Sequence, residues 1–221
     1  MLNEASDDPH SIQPGPIIST ATHLVRPLTE QDLPSLTESL NDHSITRWMT
    51  DRVAFPYTLD HAEQFFHFLQ TQSQTQGGPL TDYTIIDRAT LQVVGGLGLK
   101  TTPTDVHRRT VELGYWLSSS SQGQGIMSAL VPLFLHWTFQ TFSLDQVNRV
   151  EAHVYSGNAG SMRVLQKCGF GEEGVLRGKV WKEGKVLDLH IWGLLREEYE
   201  IEGGAGVKGG EAEVAEAGSG E

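Results

Sequence analysis

The sequence predicts a mixed α/β domain, and three observations carry that prediction. "LDHAEQFFHFLQTQSQ" places Leu59, Ala62, Phe65, Phe66 and Leu69 at helical spacing. After Gly77-Gly78-Pro79 the period changes, and "DYTIIDR", "VVGGLGLK" and "TVELGYWLS" read as three successive strands rich in β-branched and aromatic residues. A long apolar helix follows, marked by Ile126, Leu130, Leu133, Phe134 and Trp137, and a further strand lies beyond it.

Taken in order, "THLVRPL" reads as a short first strand. "TEQDLPSLTESLND" reads as a helix with Thr29 at its N-cap and Asp32 three residues on. The helix from Leu59 and the three strands come next. The long helix starts near Gly125, and Pro132 inside it predicts a kink or local irregularity. "NRVEAHVY" alternates Val150, Ala152 and Val154 as a strand, "AGSMRVLQKCGF" is a short helix, and "VLRGKVWKEGKVLDLHIWGLL" is a hairpin that turns at "KEGK". The predicted order is β-αα-βββ-α-β-α-ββ.

Composition bounds the function. The chain has 221 residues, 38% hydrophobic and 20% charged, enough for one domain with a real core. No apolar run of membrane-spanning length is present, so no membrane partner is expected. The first residues lack the basic-then-apolar order of a secretory signal. The single cysteine, Cys168, excludes a disulfide framework and a cysteine-rich zinc site, and no metal site is expected. These features fit the cytoplasm, with the nucleus left open. The net charge is −12, and Glu200 to Glu221 alone hold six glutamates against one lysine. That balance argues against nucleic acid, which needs clustered Lys and Arg, and favours a cationic small molecule or a basic peptide terminus. The Gly/Ala/Glu-rich end has little to bury and is expected to be disordered. The expected organisation is a flexible extension over 1–21, one domain over 22–201, and an acidic tail over 202–221.

The stretch "SSSSQGQGIMSALV", Ser118 to Val131, has two readings. It is a flexible linker, or a loop that holds a phosphate against the first turn of a helix. Free N–H groups at a helix start make an anion site, and glycines let an oxygen approach the backbone closely. A nucleotide P-loop is excluded, because no Gly-Lys-Ser/Thr follows the glycines.

The neighbours of the loop favour the cradle. Gln122-x-x-Gly125 directly after "GYWL", then a helix, a strand and "NAGSMRVLQKCGF", resembles the GNAT superfamily of acyl-CoA N-acyltransferases. The likeness is to its ribosomal-protein alanine N-acetyltransferase (RimJ/RimL-like) branch. It covers most of the domain: "LVRPLTEQDL", "PYTLDHAEQF", "ELGYWL", Asn158-x-x-Ser161, "EEGVLRG" and "KEGKVLDLHIWGLL" all take part. The resemblance implies a mixed, mostly antiparallel sheet of about seven strands with about four helices, and a splayed central strand pair that binds acyl-CoA. It implies that the loop amides of Gln122, Gly123, Gln124, Gly125, Met127 and Ser128 hold the pyrophosphate of acetyl-CoA. Backbone groups of Tyr115, Trp116 and Leu117 would then pair with the pantetheine arm, as an added strand pairs with an open edge. Met127 stands where the family pattern has Gly or Ala, and its side chain would crowd the phosphates.

Amine acetylation needs an uncharged nucleophile, a stabilised oxyanion and a proton for the leaving thiolate. Glu112 shares one face of its strand with Gly114 and Trp116, where the superfamily often carries its general base. The other reading makes it a structural carboxylate paired with a cation such as Arg109. Many superfamily members carry a catalytic tyrosine four residues beyond the position of Ser161, but Leu165 stands there and excludes that form. Ser161 is the remaining candidate acid, or a capping residue of its helix. Asn158 grips the cofactor arm or is a plain N-cap. His153 is a base or a surface histidine. His61, His67 and His136 show no metal-ligand spacing. Asp188 binds a cationic substrate or makes a structural hydrogen bond. Arg163 and Lys167 meet the cofactor's 3′-phosphate or are solvated charges, and Cys168 is a packed thiol rather than a nucleophile.

The implied function is acetyl transfer from acetyl-CoA to a primary amine by direct attack on the thioester. The amine belongs to a protein or peptide N-terminus, a polyamine or an amine metabolite, and a monomer or homodimer is expected. The substrate region is expected at "NDHSITRWMTDRVAFPY" and the last hairpin. A non-catalytic acyl-CoA-binding or scaffold module is the alternative, motivated by Met127 and the absent tyrosine.

Overall fold

The computed structural model describes residues 15–76, 81–101, 106–203 and 212–215. In chain order the elements are β1 (Ile18–Ser19), β2 (His23–Arg26), α1 (Leu33–Leu40), α2 (His43–Thr46), α3 (Leu59–Gln76), β3 (Asp82–Asp87), β4 (Val93–Thr101) and β5 (Thr110–Leu117). There follow α4 (Ile126–Thr141), β6 (Arg149–Tyr155), α5 (Ala159–Lys167), β7 (Gly171–Lys182), β8 (Lys185–Leu195), α6 (Arg196–Gly203) and β9 (Glu213–Val214). Among the described residues the strands join one nine-stranded sheet in the order β7-β8-β6-β5-β4-β3-β2-β1-β9.

Every neighbouring pair is antiparallel except β5 and β6. That parallel pair is short. It runs from Thr110↔Arg149 to Glu112↔Glu151 and stops, although β5 continues to Leu117 and β6 to Tyr155. Beyond Glu112 the two central strands have parted, as the resemblance implies.

Period-two alternation explains how the sheet buries two faces. Val111 and Leu113 of β5, Val150, Ala152 and Val154 of β6, and Leu97 and Leu99 of β4 pack under α4 in one core with Phe134 and Trp137. These two rings stack with centroids 5.5 Å apart, and Tyr83 of β3 meets Trp137 edge-on at 5.3 Å. On the opposite face a second core joins Leu33, Leu36 and Leu40 of α1 to Ala62 and Leu69 of α3, with Trp116 of β5 packed against it.

The expected elements are present, with α2 as an unexpected short helix and four further differences. The helix expected from Thr29 is a 3-10 turn over Glu30–Asp32 that leads into α1, with Pro34 in the first turn of α1. The Asp32 carboxylate accepts from the Thr29 N–H at 2.8 Å and takes both nitrogens of the Arg26 fork, at 2.7 and 2.8 Å. Pro132 leaves α4 as one helix. The carbonyl its missing N–H fails to reach is that of Ser128, and the Cys168 thiol donates to that oxygen at 4.0 Å.

The sheet also has two strands more than the resemblance implies, β1 and β9. Ile18↔Val214 and Ser19↔Glu213 pair them, so part of each expected flexible end lies on the sheet edge. The remainder of both ends, 1–14, 204–211 and 216–221, lies outside the described residues. Finally, α6 carries helix past residue 201, where the domain was expected to stop. The hairpin turns at Glu183-Gly184, both at positive φ (51° and 74°), which fits the tight two-residue turn read from "KEGK".

Candidate active site

The loop between β5 and α4 is built from its own side chains. Gln122 Nε2 donates to the Leu117 carbonyl at 3.0 Å, and Gln124 Nε2 donates to the Ser120 carbonyl at 2.8 Å. Ser118 Oγ lies 2.9 Å from Ser121 Oγ, so the serines fold the approach rather than hang as a linker. Gly123 and Gly125 sit at φ 74° and 80°, which a side-chain-bearing residue takes only at a cost. A Cβ at either would meet open space. Ala129 is the first residue of α4 to bond back, to Gly125 O at 3.0 Å. Among the described residues, the amides of Ile126, Met127 and Ser128 are therefore the unpaired donors of the helix start.

Met127 corrects an expectation. Its side chain is 4% exposed and belongs to the core under the sheet, so it does not crowd the loop. Position 127 faces inward in the first turn of α4, and only its N–H is left on the loop side.

From Leu113 to Leu117, β5 pairs with β4 on one side and, among the described residues, with no strand on the β6 side. Tyr115, Trp116 and Leu117 thus lie on the strand length that has lost its β6 partner. On the face toward α4 and α5, the Tyr115 side chain crosses to α5, where its hydroxyl lies 2.8 Å from Ser161 Oγ and 3.2 Å from the Ser161 carbonyl oxygen. Burial pushes the Tyr115 phenol well above its ordinary value. Asn158 Oδ1 accepts from the Ser161 N–H at 3.2 Å, the N-cap arrangement of α5.

Glu112 faces the other side. Its carboxylate accepts from Lys100 Nζ at 2.9 Å, across the β4–β5 register pair, and lies 3.5 Å from His153 Nδ1. His153 Nε2 is in turn 3.4 Å from Glu151. The expected partner Arg109 is elsewhere, donating Nε to the Leu144 carbonyl at 2.9 Å, because residue 109 precedes the strand and turns toward the end of α4. Lys100 is 58% exposed, and an exposed pair of this kind contributes about 0.2–1 kcal/mol. Glu112 is therefore loosely held.

Beside Glu112 the sheet carries two glycines in register, Gly98 and Gly114. A Cβ at Gly114 would meet nothing, whereas one at Gly98 would lie 2.5 Å from the Asp82 carboxylate. Asp82, register partner of Gly98, thus leans over that glycine and borders the open ground above Gly114. Burial raises its carboxyl above the usual range; the Thr81 hydroxyl and the Lys100 charge lower it less. Trp116 closes the other side, its indole lying over Gly96.

The α2 region and the hairpin, both expected around the substrate, meet at their tips. Lys182 Nζ lies 2.8 Å from Asp51, and His43 Nε2 lies 2.8 Å from Glu183.

Other candidates have structural partners. Asp188 Oδ1 accepts from the Gly178 N–H at 2.7 Å, where β7 slips register against β8. The Cys168 thiol is half-buried and pushed up to about 11 by burial, so it is a packed thiol. Arg163 and Lys167 are exposed on α5. Among the described residues no group of three His, Cys, Asp or Glu is placed to hold a metal, and no helix is long and apolar enough to cross a membrane. Sequence reasoning missed Lys100, Asp82 and the side chain of Tyr115. Alternation along β5 sets Tyr115 on the face opposite Glu112, but the partners of all three residues depend on strand register and on a helix 46 residues away.

A sheet parted after Glu112, with a helix-start loop at the end of β5, is the arrangement that the resemblance to acyl-CoA N-acyltransferases implies. The family model for the acetyltransferase (GNAT) domain matches residues 23–171, and the chain belongs to that family. It is an acetyltransferase that uses acetyl-CoA. The uncharacterized N-acetyltransferase p20 of Bacillus licheniformis is 27% identical over 176 residues, covering 79% of this chain and 93% of the relative. Among solved structures, the ribosomal-protein-S5-alanine acetyltransferase of Vibrio fischeri superposes with a TM-score of 0.66 at 19% identity, over 79% of this chain and 93% of that one. The spermidine N-acetyltransferase of Vibrio cholerae, in complex with CoA and spermine, superposes with a TM-score of 0.63 at 20% identity, over 80% and 97%. A non-catalytic scaffold finds no support among these relatives.

Proposed function

We propose that acetyl-CoA lies along the parted edge of β5, with its pyrophosphate on the loop from Gln122 to Ser128 and its thioester beside Ser161. The acceptor amine enters from the opposite face, over Gly114, and Glu112 takes its proton directly or through water. The observation that carries this reading is the parting of β5 and β6 after Glu112, which leaves an unpaired strand edge between the two faces. An amide-bearing arm pairs with such an edge as a strand does. Asn158 Oδ1 is used by the cap, which leaves its amide nitrogen as the group for the arm. Acetyl transfer forms the C–N bond by attack of the neutral amine and breaks the C–S bond, with no covalent enzyme intermediate.

The acceptor is a primary amine, and the carboxylates of Glu112, Glu151 and Asp82 on the entry face suit a positively charged molecule. A peptide or protein N-terminus, a polyamine and an amine metabolite each meet that description. The test is thiol release from acetyl-CoA with a panel of all three classes, followed by mass spectrometry of the product. Turnover with at least one class is expected. Tight acetyl-CoA binding with no turnover across the panel would refute direct amine acetylation.

A further inference from the structure

We propose that Tyr115 is a positioning residue that turns the Ser161 hydroxyl toward the leaving sulfur. This rests on the reading of Ser161 as the group beside the thioester.

Two hydroxyls and one carbonyl meet here, with Tyr115 Oη 2.8 Å from Ser161 Oγ and 3.2 Å from Ser161 O. Each hydroxyl has one hydrogen, so there are two donor orders. In one, Tyr115 donates to the carbonyl and Ser161 donates back to Tyr115, which leaves no hydrogen for the cofactor. In the other, Tyr115 donates to Ser161 Oγ across the shorter distance, and the serine hydrogen is free to point away. Negative charge growing on a nearby sulfur selects the second order, because a chain of two hydrogen bonds ending on the charge is mutually reinforcing. Without the phenol, a serine in the first turn of a helix readily spends its hydrogen on a local carbonyl. The cap from Asn158 to the Ser161 N–H holds the backbone while the hydroxyl is aimed.

The two residues end the reaction as they began. The amine nitrogen bonds the carbonyl carbon, the C–S bond breaks, and its electron pair goes to sulfur. Ser161 holds that thiolate by a hydrogen bond. The proton that completes the thiol is the one the amine sheds through Glu112 and solvent. Tyr115 gives up no proton, and its burial keeps the phenol neutral throughout. Leu165 leaves α5 without a phenol one turn beyond Ser161, and the phenol that reaches this serine comes from β5 instead.

The test is steady-state kinetics on Tyr115→Phe, Ser161→Ala and the double variant. Each single variant is expected to lower kcat by about 10- to 100-fold with the KM for acetyl-CoA nearly unchanged, and the double to be no slower than Ser161→Ala. Melting curves and acetyl-CoA affinity check that the variants fold. A second readout separates positioning from packing, using an acetyl thioester of a more acidic thiol, whose thiolate needs less help. The deficit of Tyr115→Phe should shrink with that donor, whereas a packing defect slows both donors alike. Full kcat in Tyr115→Phe beside a slow Ser161→Ala, multiplying losses in the double, or an equal deficit with both donors overturns the proposal and leaves the Ser161 reading standing. Full kcat in Ser161→Ala overturns both.

Discussion

Cys168 shows how a residue's surroundings settle its chemistry. Its thiol is half-buried, raised to about 11, and spends its hydrogen on the Ser128 carbonyl that Pro132 leaves open. At neutral pH it is almost wholly protonated, and a thiol is a poor nucleophile. Cys168→Ala is expected to retain acetyl transfer, and the native protein to react with a thiol reagent more slowly than a free cysteine does. Fast labelling of the native state would contradict this. Asp82 is also raised by burial, a carboxyl group taken out of water with, among the described residues, the Thr81 hydroxyl in hydrogen-bond contact. In the proposed site it faces the acceptor, so Asp82→Asn is expected to raise the acceptor KM several-fold with that for acetyl-CoA unchanged. Alternation alone places Glu112 opposite Tyr115 in the sequence. The lysine on Glu112 and the serine on Tyr115 come from other elements, which no local pattern reports.

Among the elements, the turn before α1 is tied by one carboxylate. Burial alone would raise Asp32, but hydrogen bonds from Arg26 and Thr29 outweigh it and hold the group below its ordinary value. With the folded value below the unfolded one, of about 3.9, its stabilisation is complete above that pH and fades as pH falls through the folded value. Asp32→Ala leaves Arg26 without its partner in a mostly buried setting, at a cost of about 2–4 kcal/mol by denaturant unfolding. Its acid limb should also be shallower than that of the native protein.

Gly125 is the N-cap of α4 at φ 80° with open space around its absent Cβ. Gly125→Ala therefore meets no clash and pays only the backbone penalty, about 1–2 kcal/mol. In the proposed cradle it should also weaken acetyl-CoA binding, which titration calorimetry reads directly. Long periodic elements such as α3, β5 and α4 were legible because their patterns repeat several times. β1, β9 and α2 were not, since two to four residues contain no period to read and their existence depends on partners distant in the chain.

At the scale of the molecule, the sheet separates the two faces to which the proposal assigns its two chemistries. α4 and α5 cover the face proposed for the cofactor, α1 and α3 flank the face proposed for the acceptor, and the parting of β5 from β6 connects them. The ordered motifs from "LVRPLTEQDL" to "KEGKVLDLHIWGLL" made the family legible. The inward turn of Met127 was not, because a single sequence does not state which side of a helix's first turn meets a core. The central claim is that Glu112 acts on the acceptor's proton while the cofactor is held elsewhere. The measurement that tests it most directly is kcat/KM for the amine, with acetyl-CoA affinity measured in parallel, in Glu112→Gln. The account expects kcat/KM to fall by about 10²- to 10⁴-fold with acetyl-CoA affinity unchanged. A variant that keeps the native rate would contradict it.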